Sequence, residues 1–174
     1  MSSSFQRTTN NGKISRLATD KSYRYSLIMD SKEFRKIFGE VAKSYGFRNA
    51  YGGWYKESDE CISLFWLQKS SYANEFYLNL RAYIQGAFNR HYSINKEIMK
   101  SSFGHVMDQI TGNSIFDLED IAMSDEERIA LLRTVFEERI IPFTERCLSK
   151  LGIIEMFQKG DIYLLPAVRE ELGV

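Results

Sequence analysis

The chain has 174 residues, with 23 basic and 23 acidic side chains, and 44% of its residues are hydrophobic. This length and hydrophobicity predict one domain around a single core, and the zero net charge offers no overall field that would attract nucleic acid or an anionic membrane. The sequence contains no apolar run long enough to span a bilayer and no apolar core of a secretion signal near its start, so a cytoplasmic protein is expected.

Residues 1–26 are polar and basic and precede the first predicted element. Five basic residues stand there against one acidic residue, with almost no pattern typical of a core, which predicts a flexible arm. Such an arm could hold an acidic partner or nucleic acid, although a solvated leader is the simpler interpretation. Residues 27–174 are predicted to form one α+β domain.

The first predicted helix begins after Asp30. Asp30 can cap it by accepting from the amide of Glu33, and the Glu33 carboxylate can reach back to the cap. Gly46 suits the left-handed conformation that ends many helices. Between these residues, apolar side chains recur at helical spacing on one stripe: Phe34, Ile37, Phe38, Val41 and Tyr45.

From Phe47 the periodicity changes to two residues. This change predicts three antiparallel strands, over residues 47–56, 60–69 and 74–84, joined by short hairpins. Gly52 and Gly53 predict a kink or tight turn within the first strand. Residues 86–101 are expected to be irregular or weakly helical, and residues 102–110 could form a fourth strand.

Alternation in the third strand predicts two distinct faces of the sheet. One face is expected to pack on the helices and carries Phe76, Leu78, Leu80, Ala82 and Ile84. The other face is expected to be amphipathic and exposed, and it carries Tyr77, Asn79, Arg81 and Tyr83.

The longest predicted helix follows an acidic segment over residues 117–127. Ser124 and Glu127 have the spacing of a capping box, Pro142 should kink or divide the helix, and Gly152 is expected to end it. A short apolar turn and a final short helix after Pro166 would complete the chain. The apolar stripe of the long helix contains Ile129, Leu132, Val135, Phe136, Ile140, Phe143, Cys147 and Leu151.

Residues suited to catalysis or metal binding are sparse. Cys61 and Cys147 lack partners at metal spacing and are interpreted as reduced core thiols, although a disulfide between them stays open. A nucleophilic cysteine would need His91 or His105 within reach. The acidic residues of segment 117–127 are typical of a helix N-terminus rather than of a cation loop. No metal and no cofactor is expected.

Two neighbouring stretches, GFRNAYGGWYKES and SLFWLQKSSYANEFYLNLRAYI, carry a family resemblance. They contain a Gly-Phe strand start at Gly46, an aromatic pair at Trp54, a Leu-Gln-Lys-Ser step from Leu67 and a Phe-Tyr-x-Asn-Leu strand from Phe76. The chain resembles a family of bacterial proteins known as domain of unknown function 4304, chiefly over residues 30–84. The resemblance supports an α+β fold and implies no activity. The predicted fold is an antiparallel sheet of three to five strands, with the N-terminal helix and the long C-terminal helix packed on one face.

The function expected from these observations is that of a non-enzymatic protein-binding module, immunity-like in size and composition. Its partner would dock on the exposed sheet face. One alternative is a small enzyme or ligand-binding domain with a cleft between the sheet and residues 86–120. Another is a nucleic-acid-binding domain that uses the basic arm and the sheet aromatics. The candidate binding residues are Gln68, Lys69, Tyr77, Asn79, Arg81, Tyr83 and His105.

Overall fold

The computed structural model describes residues 29–119 and 123–174, so the basic arm predicted over residues 1–26 lies outside the described residues. In the described part of the chain, five strands form one antiparallel sheet in sequential order, β1-β2-β3-β4-β5. The strands are β1 (Arg48–Ala50), β2 (Gly53–Glu57), β3 (Cys61–Lys69), β4 (Phe76–Ile84) and β5 (Val106–Ile110). The helices are α1 (Ser31–Ser44), the short α2 (Lys96–Lys100), the long α3 over residues 125–146, α4 (Lys150–Lys159) and α5 (Pro166–Leu172).

Helix α1 begins and ends where the sequence predicts. The Asp30 side chain accepts from the amides of Lys32 and Glu33, and Gly46 follows the helix with φ of 79°. Glu33 lies 3.6 Å from Lys36 Nζ, so its carboxylate pairs along the helix. The helix therefore presents Phe34 and Phe38 to the core and its lysine side chains to solvent.

The predicted first strand is two strands joined by a tight turn. Tyr51 and Gly52 both have positive φ, 51° and 75°, which is the conformation of a two-residue hairpin turn. The sheet therefore starts with a β1–β2 hairpin in which Asn49 lies opposite Trp54. The predicted fourth strand of residues 102–110 is also present, as β5, and pairs with β4.

On the helix-covered face of the sheet, aromatic rings cluster around Phe38 of α1. Its ring centroid lies 4.9 Å from that of Trp54 and 5.1 Å from that of Phe136 on α3. Phe65 of β3 packs against the same group. This face confirms that the apolar residues of β4 point toward helices α1 and α3.

Helix α3 has the predicted start and the predicted interruption. Ser124 and Glu127 form a complete capping box. The helix then widens to a π turn over Phe136–Ile140 immediately before Pro142. Because Pro142 has no N–H to donate to the preceding turn, the backbone accommodates it by changing its hydrogen-bonding pattern.

The prediction that Gly152 ends the long helix is wrong. Helix α3 ends at Arg146, and Ser149 caps α4, in which Gly152 donates its N–H to Ser149 Oγ at 3.0 Å. The segment Ile153–Phe157, predicted to be a turn, is helical for the same reason. A serine cap thus begins a new helix where the glycine suggested an end.

Candidate functional site

The second face of the sheet contains most of the candidate residues, but it is largely buried. The segment of residues 86–105, which includes α2, packs over Ile62, Leu64 and Tyr83. The expectation of an exposed face is therefore wrong for three of the candidate side chains. Their exposed fractions are 2% for Asn79, 7% for Arg81 and 6% for Tyr83.

Arg81 and Tyr83 bind backbone carbonyls of the covering segment and of β5. Arg81 donates from Nη1 to Asp108 O at 3.0 Å and from Nη2 to Ser102 O at 3.4 Å, while its guanidinium lies over the Trp66 ring. The Tyr83 hydroxyl donates to Phe103 O. These contacts hold the covering segment on the sheet and leave neither side chain available to a partner.

Asn79 lies in a chain of amide hydrogen bonds across β3, β4 and β5. Its Nδ2 donates to Gln68 Oε1 at 3.1 Å, and its Oδ1 accepts from Gln109 Nε2 at 2.7 Å. At the turn between β3 and β4, the Tyr77 hydroxyl donates to Glu75 Oε1 at 2.8 Å. Gln68 and Asn79 therefore have a structural role, because each satisfies a hydrogen-bonding group of the other across the strands.

Lys69 lies apart from the other candidates. It follows Gln68 in β3 and so points to the opposite face of the sheet, where its Nζ donates to Ser31 Oγ at 2.8 Å. The expected grouping of Lys69 with Tyr77 and Asn79 on one face is wrong.

His105 is held by hydrogen bonds on both ring nitrogens. Nδ1 accepts from the Ile84 amide at 2.9 Å, so the neutral ring carries its proton on Nε2, which lies 3.1 Å from the Tyr92 hydroxyl. Burial lowers the pKa of His105, against an opposing effect of the negative charge of Glu171. His105 thus binds the covering segment to the sheet as a neutral imidazole.

A cavity of about 260 Å³ lies beside His105, between Tyr83 and the covering segment. Arg90 and Glu97 also line it, and the rings of Tyr83, Tyr92 and His105 pack against one another there. Among the described residues, the His105 ring nitrogens bond to the Ile84 amide and the Tyr92 hydroxyl, so neither nitrogen is hydrogen-bonded to a carboxylate.

The cysteines have the environment of core residues. Both are buried free thiols. Burial raises the pKa of Cys61 to about 12 and also raises the pKa of Cys147. Neutral thiols of this kind are poor nucleophiles.

A larger groove of about 700 Å³ lies between α1 and the β1–β2 hairpin. Its floor consists of Gly39, Phe47 and Trp54, and a Cβ at Gly39 would lie 3.4 Å from Trp54 Cζ2. The absent side chain of Gly39 therefore leaves space beside the indole, which is itself only 5% exposed. We call this surface the cationic groove because its walls carry Arg35, Lys36, Lys43 and Arg48.

Positive charge in the cationic groove is only partly neutralised. Arg48 pairs with Glu57 at 2.6 Å and stacks on the Tyr55 ring, whereas Lys43 makes no ion pair with a described residue. Arg35 donates to Leu67 O at 3.1 Å, and burial lowers its pKa. Burial, and then the charge of Arg35, lower the pKa of Lys100 at the hairpin tip.

The cationic groove was not among the predicted sites. One signal for it was present: Lys36, Gly39 and Lys43 lie three and seven residues apart, so they share the outer face of the first helix. A glycine inside a helix costs stability, so Gly39 within the predicted helix is a second signal. The contribution of the hairpin was not predicted because residues 47–56 were assigned to a single strand with a kink or tight turn at Gly52 and Gly53.

The described residues offer neither a metal site nor a membrane span. In residues 29–119 and 123–174, no three or more His, Cys, Asp or Glu side chains are placed to hold a metal ion. No helix in the same ranges has the length and apolarity needed to cross a membrane.

The structure defines an α+β protein with a sequential antiparallel sheet between helices and a covering loop segment. Residues 38–146, more than half of the chain, match the family described as a domain of unknown function, DUF4304. The chain belongs to this family, as its strand motifs suggested. No curated protein and no solved structure matches the chain.

Proposed function

We propose that this chain is a cytoplasmic protein-binding module that docks an acidic segment of a partner protein in the cationic groove. The observation that carries the proposal is the combination of an apolar floor with cationic walls. An apolar floor supplies contact area, and charges at the rim select and orient a partner. The surface replaces the sheet face as the docking site because that face is covered.

Electrostatic crowding supports an acidic occupant. The lining holds four cations, Arg35, Lys36, Lys43 and Arg48, and one carboxylate, that of Glu40. Glu33 and Glu57, outside the lining, pair with Lys36 and Arg48 and offset part of this charge. Lys100 adds a further cation at the hairpin tip, where its Nζ donates to Gly52 O at 3.3 Å. A bound carboxylate would relieve the repulsion among these groups, and the groove would thereby favour acidic partners over neutral ones.

A protein partner is favoured over nucleic acid by the burial of three aromatic side chains, Trp54, Trp66 and Tyr83. Single-stranded nucleic acid binds by stacking bases on exposed ring faces. Trp54 in the groove is only 5% exposed, and Trp66 and Tyr83 on the sheet are 6% exposed. These rings offer edges and packed faces, which suit contact with a side chain better than a stacked base.

Charge reversal in the groove tests the proposal. The variant Lys36→Glu/Lys43→Glu is compared with Lys150→Glu/Lys159→Glu, an exposed pair outside the groove that changes the net charge equally. A photo-crosslinker at Glu40 captures the partner in cells, and the purified partner is then titrated against each protein. Binding should survive in the wild type and the control but not in the groove variant. Equal affinities for all three proteins would contradict the proposal.

A further inference from the structure

The cationic groove lies along a free edge of the sheet. Among the described residues, strand β1 is the outer strand of the sheet and pairs only with β2. In a two-residue hairpin the residues next to the turn, Ala50 and Gly53, form a hydrogen-bonded pair, and the next pair along does not. That next pair is Asn49 and Trp54, so the backbone N–H and C=O of Asn49 point away from β2.

These outward groups of Asn49 have no partner within the described chain. The Asn49 side chain turns back across the hairpin, where Nδ2 donates to Gly53 O at 3.0 Å. No loop group or side chain of the described residues hydrogen-bonds to the backbone of Arg48, Asn49 or Ala50. The edge is therefore open to an added strand.

The opposite edge of the sheet is closed by its own side chains. In β5 the amide of Gln109 donates to Asp108 Oδ1 at 2.7 Å, and Asp108 Oδ2 pairs with Arg139 at 3.4 Å. A charged side chain that caps its own strand is one way in which proteins prevent unwanted pairing. Within residues 29–119 and 123–174, no side chain caps the β1 edge in this way, and the cationic groove lies beside it.

We propose that the acidic segment binds as an antiparallel strand added to β1, an inference that rests on the proposed function. Its central residue would pair with the backbone of Asn49. Because side chains opposite each other share a face, this residue would point to the side of Trp54 and Gly39. The two adjacent residues would point to the side of Arg48.

The alternation of side chains between the two faces of the added strand determines which residue type suits each position of the segment. The central side chain meets the apolar floor, so it should be a medium-sized apolar residue. Its immediate neighbours lie on the side of Arg48, and the residues two positions away lie toward Lys36 and Lys43, so all four should be acidic. The matching pattern is Glu-Glu-Leu-Glu-Glu. Its backbone hydrogen bonds to β1 would provide affinity, and its alternate side chains would provide specificity.

The probe is the peptide Ac-Glu-Glu-Leu-Glu-Glu-NH₂, titrated against the full chain. Trp66→Phe leaves Trp54 as the single tryptophan, so its fluorescence reports binding in the groove. N-methylation of the leucine removes an N–H that would bond Asn49 and should weaken binding about tenfold or more. N-methylation of the following glutamate removes an outward N–H and should leave binding unchanged.

The same bond is tested from the protein side. Asn49→Pro removes the outward N–H, which β2 does not use, and should weaken peptide binding. Asn49→Ala keeps the N–H and is the matched control. Circular dichroism and thermal unfolding of both variants verify that the fold persists.

The outcomes separate this inference from the proposed function. Strand addition is overturned if the peptide does not bind at millimolar concentration. It is also overturned if leucine N-methylation and Asn49→Pro leave binding unaffected. The proposed function then stands if binding of the captured partner still depends on Lys36 and Lys43. If a peptide in which the four glutamates are replaced by glutamine binds equally well, both strand addition and the proposed function are overturned. Tighter binding of a single-stranded oligonucleotide at the same groove also overturns both, in favour of nucleic acid.

Discussion

The two faces of the sheet are both buried, but they are buried by different means. Helices α1 and α3 satisfy their own backbone groups, so the face beneath them needs only apolar side chains such as Phe38 and Phe65. The segment of residues 86–105 is mostly irregular and leaves carbonyls without internal donors. Arg81 and Tyr83 supply those donors. Polar residues at alternate strand positions can thus indicate a loop cover as well as a solvent face.

The largest effect is expected on the helix-covered face. Phe38→Ala should lower the free energy of unfolding by about 3–5 kcal/mol, because it leaves a cavity among the rings of Trp54, Phe65 and Phe136. Phe103→Ala, at a side chain 73% exposed, is the control and should change stability by less than about 0.5 kcal/mol. Urea unfolding measures both, and similar losses would contradict the assigned core.

A smaller loss is expected on the loop-covered face. Arg81→Leu should lower the free energy of unfolding by about 2 kcal/mol, because carbonyls of Ser102 and Asp108 lose a charged donor. Arg90→Leu, at an exposed position, serves as the comparison. Hydrogen exchange should show faster opening of residues 101–105 in the Arg81 variant, and unchanged protection there would argue against its role in holding the cover.

The loop-covered face should also be sensitive to pH. The pKa of His105 lies below its ordinary value of 6.5, so the unfolded chain takes up the proton more readily than the folded chain. The stability contributed by the neutral ring is fully present above pH 6.5 and is lost as the pH falls through the lower folded pKa. Protonation at Nδ1 would also break the bond from the Ile84 amide.

His105→Gln provides the measurement for this pH effect. Stability is determined by urea unfolding between pH 5 and pH 8 in the wild type and the variant. The wild type should lose more stability than the variant as the pH falls below 6.5. Parallel pH profiles would show that His105 does not couple protonation to the fold.

Local patterns in the sequence were sufficient to predict most elements but not their cover. The cap at Asp30, the capping box at Ser124 and the alternation in β4 each depend on neighbours in the chain, so the sequence predicts them directly. Burial of Arg81 depends on a segment about twenty residues away, whose irregular backbone gives no periodic signal. The prediction of an exposed docking face on the sheet was wrong for this reason.

Helix α3 shows a similar limit. The residues on the predicted stripe include Ile129, but the buried residues of its first part are Arg128 and Leu132. Arg128 reaches the carbonyls of Ile115 and Asp117, which precede the helix. A long cation with several donors can replace an apolar residue where an adjacent loop needs partners, and periodicity alone assigns it to the solvent.

The smallest predicted effect concerns Gly39 and has the opposite sign. Gly39→Ala should raise the free energy of unfolding by about 0.5–1 kcal/mol, because alanine favours a helix interior and its Cβ would make an ordinary contact with Trp54. The added methyl group would narrow the floor of the cationic groove, so binding of the acidic peptide should weaken while stability rises. Gly152→Ala is the contrasting helical glycine: its Cβ would overlap the Arg146 carbonyl, so it should destabilise the protein. Thermal unfolding and peptide titration of both variants decide the matter, since unchanged affinity in a stabilised Gly39→Ala protein would mean that the glycine does not keep the groove open for a ligand.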